Sequence, residues 1–193
     1  MVFMTSFVSR SGRVLAGVTV GVFAVALATT LSTFTAEGFV RGLAVFGFLT
    51  MSLYVGFWRP RLDVDDEGVT VRNPFTEYRI GWGAIDRIDT KWGLTLYLET
   101  RRISVWAAPA PGRHTTFTAS RDLGSHLPES TYLAGTVRPG DLITTESGGA
   151  AAVVRREWER RHDGSERFES THSIGLIAGV ITLGIAAVLA LSF

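Results

Sequence analysis

Three long apolar runs separate the chain into segments suited to a bilayer and one polar segment. Residues 14–36, 42–58 and 174–193 contain no Asp, Glu, Lys or Arg, and they comprise 23, 17 and 20 residues. A helix needs about 20 residues to cross roughly 30 Å of hydrocarbon. We therefore predict transmembrane helices at 14–36, 39–58 and 174–193. The second helix extends past Arg41, because a terminal arginine can keep its guanidinium group in the interface.

The charges beside these runs predict the orientation of the chain. Arg10 and Arg13 precede the first helix, and Arg59 and Arg61 follow the second, whereas the connection between the two helices carries one acid and one base. Arginine-rich flanks stay on the cytoplasmic side, where each arginine contributes about 1 kcal/mol near an anionic leaflet. We therefore predict a multi-pass protein of the inner (plasma) membrane. Residues 1–13 and the polar segment are predicted to be cytoplasmic, and the C-terminus is predicted to lie outside.

Two alternatives compete with this membrane interpretation. Helices buried in a soluble core are rarely apolar on every face for 20 residues, so three of them would be unusual. A cleaved secretory signal would also begin with basic residues, but the first apolar run is too long and Phe34 is bulky for a position three before a cut. A cleaved signal would leave the second helix crossing in the same direction, so the polar segment is cytoplasmic in both cases.

Small residues recur four positions apart in two of the predicted helices. Gly17 and Gly21 in the first, and Gly175 and Gly179 in the third, would let helix backbones approach closely, either within the chain or between copies. Formation of a homo-oligomer through these glycines is therefore one of the two alternatives. The predicted helices have no ionisable residue at mid-depth, where ion pathways and substrate sites usually need one, and this argues against transport.

Alternating apolar and polar residues predict strands in the first half of the polar segment. A period of two is typical of strands that bury one face. The alternating apolar positions are Leu62, Val64, Val69, Val71, Tyr78, Ile80, Leu94, Leu96, Leu98, Ile103 and Val105. Turn residues such as Asn73-Pro74 separate these runs at the spacing of hairpins. We predict five or six antiparallel strands before residue 107.

The pattern changes in the second half of the polar segment. Proline and glycine recur through residues 107–147, which predicts an irregular loop, and loops of this length tend to be functional. Ala151, Val154 and Trp158 then fall on one face of a helix, with charged residues off that face. This spacing predicts an amphipathic helix over 149–163.

Capping residues and the run of strands complete the predicted fold. Ser147 is predicted to cap the start of the amphipathic helix, and Gly164 is predicted to end it in a left-handed conformation. Residues 165–173 are predicted as a tether to the third transmembrane helix. The fold class is α+β: residues 59–164 form an antiparallel β-barrel capped at one open end by the amphipathic helix, because the mouth of a small barrel needs cover.

Three short patterns in the polar segment resemble bacterial pleckstrin-homology-like (PH) domains. The chain reads Gly-Val-Thr-Val-Arg-Asn at 68–73, Ile-Gly-Trp-Gly-Ala-Ile at 80–85, and has an arginine-flanked strand from Arg101 to Trp106. They are similar in particular to the actinobacterial membrane family named after a low molecular weight protein antigen. The similarity covers Pro60 to about Trp106 and includes the amphipathic helix at Ala150 to Arg161.

The resemblance implies a helix-capped PH-like barrel and is nearly silent on chemistry, because this superfold binds lipids, peptides or proteins with different loops. In physical terms Gly68 is predicted to allow a tight turn, Asn73-Pro74 to end a strand, and Trp82 to pack over the barrel seam. The residues assigned to the fold motif are Gly68, Arg72, Asn73, Pro74, Trp82, Ile85, Trp106 and Trp158.

Composition and charge exclude several classes of protein. The 193 residues are 46% hydrophobic and 19% charged and include no cysteine, which argues against disorder, a disulfide scaffold and a thiolate metal site. Residues 59–171 carry 16 basic and 17 acidic side chains, so no basic field attracts a polyanion. We therefore predict no nucleic-acid partner.

Candidate catalytic residues are few and poorly placed for chemistry. The four histidines have no metal-ligand spacing; they are His114, His126, His162 and His172. Asp122, Ser125 and His126 are the nearest approach to a hydrolase site, but adjacent residues on an irregular segment do not position a base against a nucleophile. No enzyme activity, metal or cofactor is predicted.

Basic side chains near the predicted strand ends form a candidate anionic-ligand patch. Its members are Arg72, Arg79, Arg87, Lys91, Arg101 and Arg102. Carboxylates are interleaved with them, so surface salt bridging is the favoured interpretation and a headgroup pocket the alternative.

These observations predict a non-catalytic interaction or scaffold module held on the cytoplasmic face by transmembrane helices. An exposed strand edge or the long loop would receive a protein partner. The first alternative is binding of an anionic lipid headgroup by the basic patch. The second is a membrane-bound hydrolase that uses the long loop.

Overall fold

The computed structural model describes residues 5–31, 36–110 and 145–192, and the structural statements below concern these residues. The elements follow one another as β1 (Thr5–Phe7), α1 (Arg10–Leu31), α2 (Ala36–Leu53), β2 (Arg61–Val64), β3 (Gly68–Arg72), β4 (Thr76–Gly81), β5 (Arg87–Asp89), β6 (Gly93–Leu98), β7 (Arg101–Pro109), α3 (Glu146–Arg161), β8 (Phe168–His172) and α4 (Ile174–Ser192). One π-helical turn (Tyr54–Trp58) continues α2, and a 3₁₀ turn (Trp82–Ala84) follows β4.

The chain divides into two compact units. A helical unit comprises Arg10–Pro60, Asn73–Glu77 and Thr171–Phe193. A polar unit comprises Met1–Ser9, Arg61–Arg72 and Tyr78–Ser170.

Three helices of the helical unit are long and apolar enough to cross a bilayer, and their candidate spans are Arg10–Thr29, Glu37–Trp58 and Ile174–Ser192. Glycines on α2 and α4 allow close packing: a Cβ added at Gly42 would lie 3.1 Å from Leu27 Cδ1, and one at Gly184 would lie 3.1 Å from Phe48 Cε2. Within the described chain a Cβ at Gly17, Gly21 or Gly175 would meet nothing within 4 Å, and one at Gly179 would lie 3.8 Å from Met51 Cε. Packing of the first three glycines between copies therefore stays a prediction.

The strands form two sheets. The first has the order β1-β2-β3-β4-β8 and the second the order β5-β6-β7. Leu62 pairs with Val71 and Val64 with Val69 in the antiparallel β2–β3 register, and these four side chains are buried because each strand turns one face to the core. The inward residues of the second sheet belong to the same core.

The described strands do not close into the predicted barrel. β1 lies beside β2 and β8 lies beside β4, so the two edges of the first sheet are occupied by strands that the hydrophobic pattern did not predict. Residues 165–173, predicted as a tether, contain β8, and residues 107–109, predicted as loop, belong to β7. The physical reason is that strands with exposed polar residues can pair through their backbones without an apolar pattern.

Helix α3 packs against the second sheet through its small apolar face. Ala150, Ala151 and Val154 are fully buried in the core. Thr145 caps the helix by accepting a hydrogen bond from the Gly148 amide at 3.0 Å, so the prediction of Ser147 as the cap is wrong.

Glycine positions also differ from the predicted turn chemistry. Among the described residues Gly93 alone has a positive φ, at 103°, so the predicted left-handed conformation of Gly164 is wrong. Gly68 begins β3, and the turn before it is held by Asp65, whose Oδ1 accepts from the Glu67 and Gly68 amides at 2.9 Å. A Cβ at Gly68 would overlap the Ile80 carbonyl oxygen, so close strand packing is what requires glycine.

Candidate functional site

A row of three polar and aromatic side chains crosses the second sheet. Arg87 on β5 pairs with Tyr97 on β6, and Tyr97 pairs with Arg102 on β7. Directly opposed residues have Cβ atoms about 5 Å apart and point to the same face. The next row includes Ile88 and Leu96, which are buried, so the Arg87–Tyr97–Arg102 row lies on the opposite face.

The geometry of this row suits the binding of an anionic or aromatic partner. The Arg87 guanidinium carbon lies 4.1 Å from the centroid of the Tyr97 ring, a cation–π contact that contributes about 0.5–1 kcal/mol at an exposed site. Arg87 and Arg102 are exposed, and Tyr97 is half-buried. Within the part of the chain that the structure describes, neither arginine forms an ion pair with a carboxylate. Among the described residues these two positions therefore show no ion pair, and the choice between salt bridging and a headgroup pocket stays a prediction.

Two other members of the basic patch lie against aromatic rings. The Arg101 guanidinium lies 5.2 Å from the Phe168 ring centroid, and the Lys91 ammonium lies 5.9 Å from the Trp92 ring centroid. Lys91 belongs to the turn between β5 and β6, whereas Arg101 begins β7. Each of these two cations therefore contacts an aromatic ring near it, and the two do not converge on one anion-binding site.

The remaining two members lie on the first sheet. Arg72 ends β3 and pairs in register with Arg61 of β2, and Arg79 is exposed on β4. The structure thus brings Arg87 and Arg102 into one row and distributes the other four cations over different strands and turns. A pocket that gathers all six is not formed by the described residues.

Trp92 is a candidate contact residue that the sequence interpretation missed. Its side chain is 82% exposed in the turn before Gly93. Trp106 is 54% exposed on β7, although it was assigned to the fold motif. Tryptophan, tyrosine and arginine are the residues enriched at interaction hot spots.

Other residues of the fold motif stabilise the polar unit and do not form a site. Trp82 is 1% exposed and its Nε1 donates to the Asp65 carbonyl at 3.2 Å. The Trp158 Nε1 donates to the Ile85 carbonyl at 2.9 Å, which ties α3 to the segment before β5. The predicted strand end at Asn73-Pro74 is present in the helical unit, where the Asn73 amide donates to the Thr76 carbonyl at 2.8 Å.

A small cavity of about 320 Å³ lies beside Trp82 in the polar unit, and its charged lining residues are Asp66, Glu67 and Arg161. Arg161 Nη1 and Asp66 Oδ1 form an ion pair of 2.6 Å at its wall. The Arg161–Asp66 pair therefore balances two of the three charged residues in the cavity wall. Outside the lining of the cavity, the Arg167 guanidinium donates hydrogen bonds to the Glu169 carboxylate, which raises the pKa of Arg167 above its ordinary value, and the charge of Glu169 adds to this effect.

Metal and hydrolase candidates receive no support from the described residues. No group of three or more His, Asp or Glu side chains there could hold a metal ion. The hydrolase candidates Asp122, Ser125 and His126, together with His114, lie outside the described residues.

Comparison with known families agrees with the sequence resemblance. Residues 59–141 match the family model described as Bacterial PH domain. No curated protein and no solved structure matches the chain. The narrower resemblance to the actinobacterial antigen family stays a prediction. The predicted resemblance to bacterial PH domains is confirmed for residues 59–141, and proteins of that family are typically non-catalytic.

Proposed function

We propose that the protein is a non-catalytic interaction module whose PH domain is anchored at the cytoplasmic face of the plasma membrane and binds a protein partner. The observation that carries this proposal is the position of the PH match. It begins at residue 59, directly after a candidate membrane span, and a further span begins at Ile174. A domain placed between two such helices would stay at the membrane surface.

A contact within the helical unit supports the proposed orientation. Arg13 Nη2 donates to the Trp58 carbonyl at 3.3 Å, and its guanidinium lies 5.4 Å from the Trp58 ring centroid. The start of α1 and the end of the Glu37–Trp58 span therefore lie at the same level. The arginines beside these two ends would face one side of the bilayer, which the positive-inside rule makes the cytoplasmic side.

The Arg87–Tyr97–Arg102 row and the exposed Trp92 support a protein partner. A partner that carries carboxylates beside apolar groups would bind the two guanidinium groups, which lack carboxylate partners among the described residues, and would cover the aromatic rings. Charge reversal at Arg87 and Arg102 should therefore prevent association more strongly than an equal change elsewhere on the surface.

The orientation can be tested with a protease site inserted at residue 130. In intact cells we expect protection from added protease, and in inverted membrane vesicles we expect cleavage. Cleavage in intact cells would reject the cytoplasmic placement.

The partner can be tested by crosslinking and copurification of the full-length protein. We expect Arg87→Glu/Arg102→Glu to lose proteins that the wild-type chain retains. The control is Arg156→Glu/Arg160→Glu, which reverses two exposed charges on α3. Loss of the same proteins from both variants would show that overall charge, and not this row, governs association.

Binding of an anionic lipid headgroup is the second candidate function, because Arg87 and Arg102 lack carboxylate partners among the described residues. It can be tested with full-length protein in nanodiscs of phosphatidylcholine, with and without about one third phosphatidylglycerol. Hydrogen exchange in the segment 87–102 should slow with the anionic lipid if the headgroup binds there. Equal exchange in both nanodiscs would remove this candidate.

A further inference from the structure

A cleft of about 380 Å³ lies among the three helices of the helical unit. Its lining comes from all three helices: Phe23, Ala26 and Leu27 of α1, Arg41, Gly42, Val45, Phe46 and Leu49 of α2, and Ala190 and Leu191 of α4. Nine of these ten residues are apolar or glycine, and Arg41 is the charged one. This volume lies within the range of small-molecule sites.

The packing of the helices explains why the cleft exists. Helix α1 contacts α2 at Leu27 and Gly42, and α4 contacts α2 at Phe48 and Gly184. Helices α1 and α4 therefore both pack on α2, and a gap remains between them over the face of α2 that bears Val45. The gap lies toward the C-terminal ends of α1 and α4 and the N-terminal end of α2.

Arg41 is the charged residue of the cleft lining, and its carboxylate partner Glu37 lies beside it on α2, outside the lining. Arg41 Nη2 donates to Glu37 Oε1 at 2.5 Å. The side chain of Arg41 is 38% exposed and that of Glu37 is 74% exposed. A guanidinium group has five N–H donors and a carboxylate has about four acceptor sites, so this one bond leaves capacity on both groups. Glu37 and Arg41 are four residues apart, which is about 6 Å along the axis of α2 and places them on the same face of the helix. Their charged groups are therefore neighbours.

The apolar part of the cleft continues away from this pair. Leu49 lies eight residues beyond Arg41, which corresponds to about 12 Å along the axis of α2. Phe46 and Phe23 form part of the wall over this distance. A ligand that fits must therefore join a charged head to an extended hydrocarbon tail.

We propose that this cleft binds one phospholipid whose headgroup contains a phosphate and a primary ammonium, the chemistry of phosphatidylethanolamine. The phosphate accepts from Arg41, the ammonium donates to Glu37, and one acyl chain lies along Val45, Phe46 and Leu49. The carboxylate of Glu37 disfavours a headgroup with net negative charge. This inference rests on the proposed membrane insertion, since only a bilayer supplies such a lipid at high concentration.

Native mass spectrometry of the full-length protein in mild detergent tests the proposal. The probes are phosphatidylethanolamine, phosphatidylglycerol and phosphatidylcholine in equal amounts. We expect one phosphatidylethanolamine adduct to exceed the phosphatidylglycerol adduct. Arg41→Ala should lower the phosphatidylethanolamine adduct about tenfold, as for one lost charge-assisted hydrogen bond. Glu37→Gln should remove the preference for ammonium over glycerol.

Two further variants separate local from general effects. Val45→Phe fills the cleft and leaves both charges in place, so it should reduce all lipid adducts. Arg10→Ala removes an arginine at the other end of α1 and should behave as wild type. Equal binding of the three lipids, or unchanged binding by Arg41→Ala and Val45→Phe, would overturn the proposal.

Alkaline carbonate extraction of membranes separates this inference from the proposed function. Release of the protein into the supernatant would reject membrane insertion and the lipid site together. Retention in the membrane without a selective phosphatidylethanolamine adduct would reject the lipid site alone.

Discussion

Arg59 Nη2 donates a hydrogen bond of 2.6 Å to Ser173 Oγ. The same guanidinium group donates through Nη1 to the carbonyl oxygens of Asn73 and Pro74. The Ser173 amide in turn donates to the Phe75 carbonyl at 2.8 Å. Within the helical unit one arginine therefore joins the segment after α2, the turn between β3 and β4, and the residue before α4.

This relationship predicts that Arg59→Ala destabilises the protein. Removing the guanidinium group leaves two backbone carbonyls and a hydroxyl without their donor, so the free energy of unfolding should fall by about 2 kcal/mol. Chemical unfolding in detergent, followed by circular dichroism, measures the change. Arg167→Ala is the control, because its 2.6 Å contact with Glu169 is an ion pair between two exposed side chains, worth less than about 1 kcal/mol. Equal losses for the two variants would contradict the assigned role of Arg59.

Gly68→Ala should destabilise the polar unit. The added methyl group would overlap the Ile80 carbonyl oxygen and lie 2.9 Å from Gly81 Cα, so β3 or β4 must shift. Overpacking of this kind costs about 1–3 kcal/mol, which thermal unfolding would detect. Gly17→Ala serves as the control, because nothing described lies within 4 Å of the position that its methyl group would take, and alanine favours a helix. If Gly68→Ala melts at the wild-type temperature, the close approach of the strands is not a constraint.

Trp92→Ala should leave stability unchanged and weaken partner binding. The side chain is 82% exposed, so its loss removes little buried area and the unfolding free energy should change by less than about 0.5 kcal/mol. Copurification of crosslinked partners measures the second effect. Trp158→Phe is the contrasting variant, because it removes the hydrogen bond to the Ile85 carbonyl. It should lower the free energy of unfolding by about 1 kcal/mol. A large loss of stability in Trp92→Ala would mean that this ring packs in the fold.

Thr145→Ala should destabilise α3 by about 1 kcal/mol. The Thr145 hydroxyl accepts from the Gly148 amide at 3.0 Å, and alanine cannot replace it. Thr145→Ser retains the hydroxyl and should remain close to wild type in urea unfolding. Should the serine variant lose as much stability as the alanine variant, the methyl group and not the cap would be responsible.

The sequence alone predicted the elements that depend on neighbouring residues. An apolar run of 20 residues, the alternation at Val69 and Val71, and the helical spacing of Ala151 and Val154 each carry their signal within a few turns or residues. The resemblance to bacterial PH domains was likewise recognisable, because the motif around Trp82 is local.

The candidate site was predicted only in part, because its geometry depends on strand register. Arg87 and Arg102 are 15 positions apart in the chain, and only the pairing of both with Tyr97 places them in one row. Arg101 is adjacent to Arg102, yet it stacks on Phe168 because neighbouring residues of a strand point to opposite faces.

Uninterrupted apolar runs by themselves determined the three long helices, and hydrophobic periodicity determined the inward-facing strands and the amphipathic helix, since these signals lie in neighbouring residues. Tertiary structure alone decided the short edge strands β1 and β8, the Arg59 contacts and the cleft beside Arg41. These features depend on backbone pairing and on contacts between distant segments. Such contacts leave no periodic mark in the order of the residues.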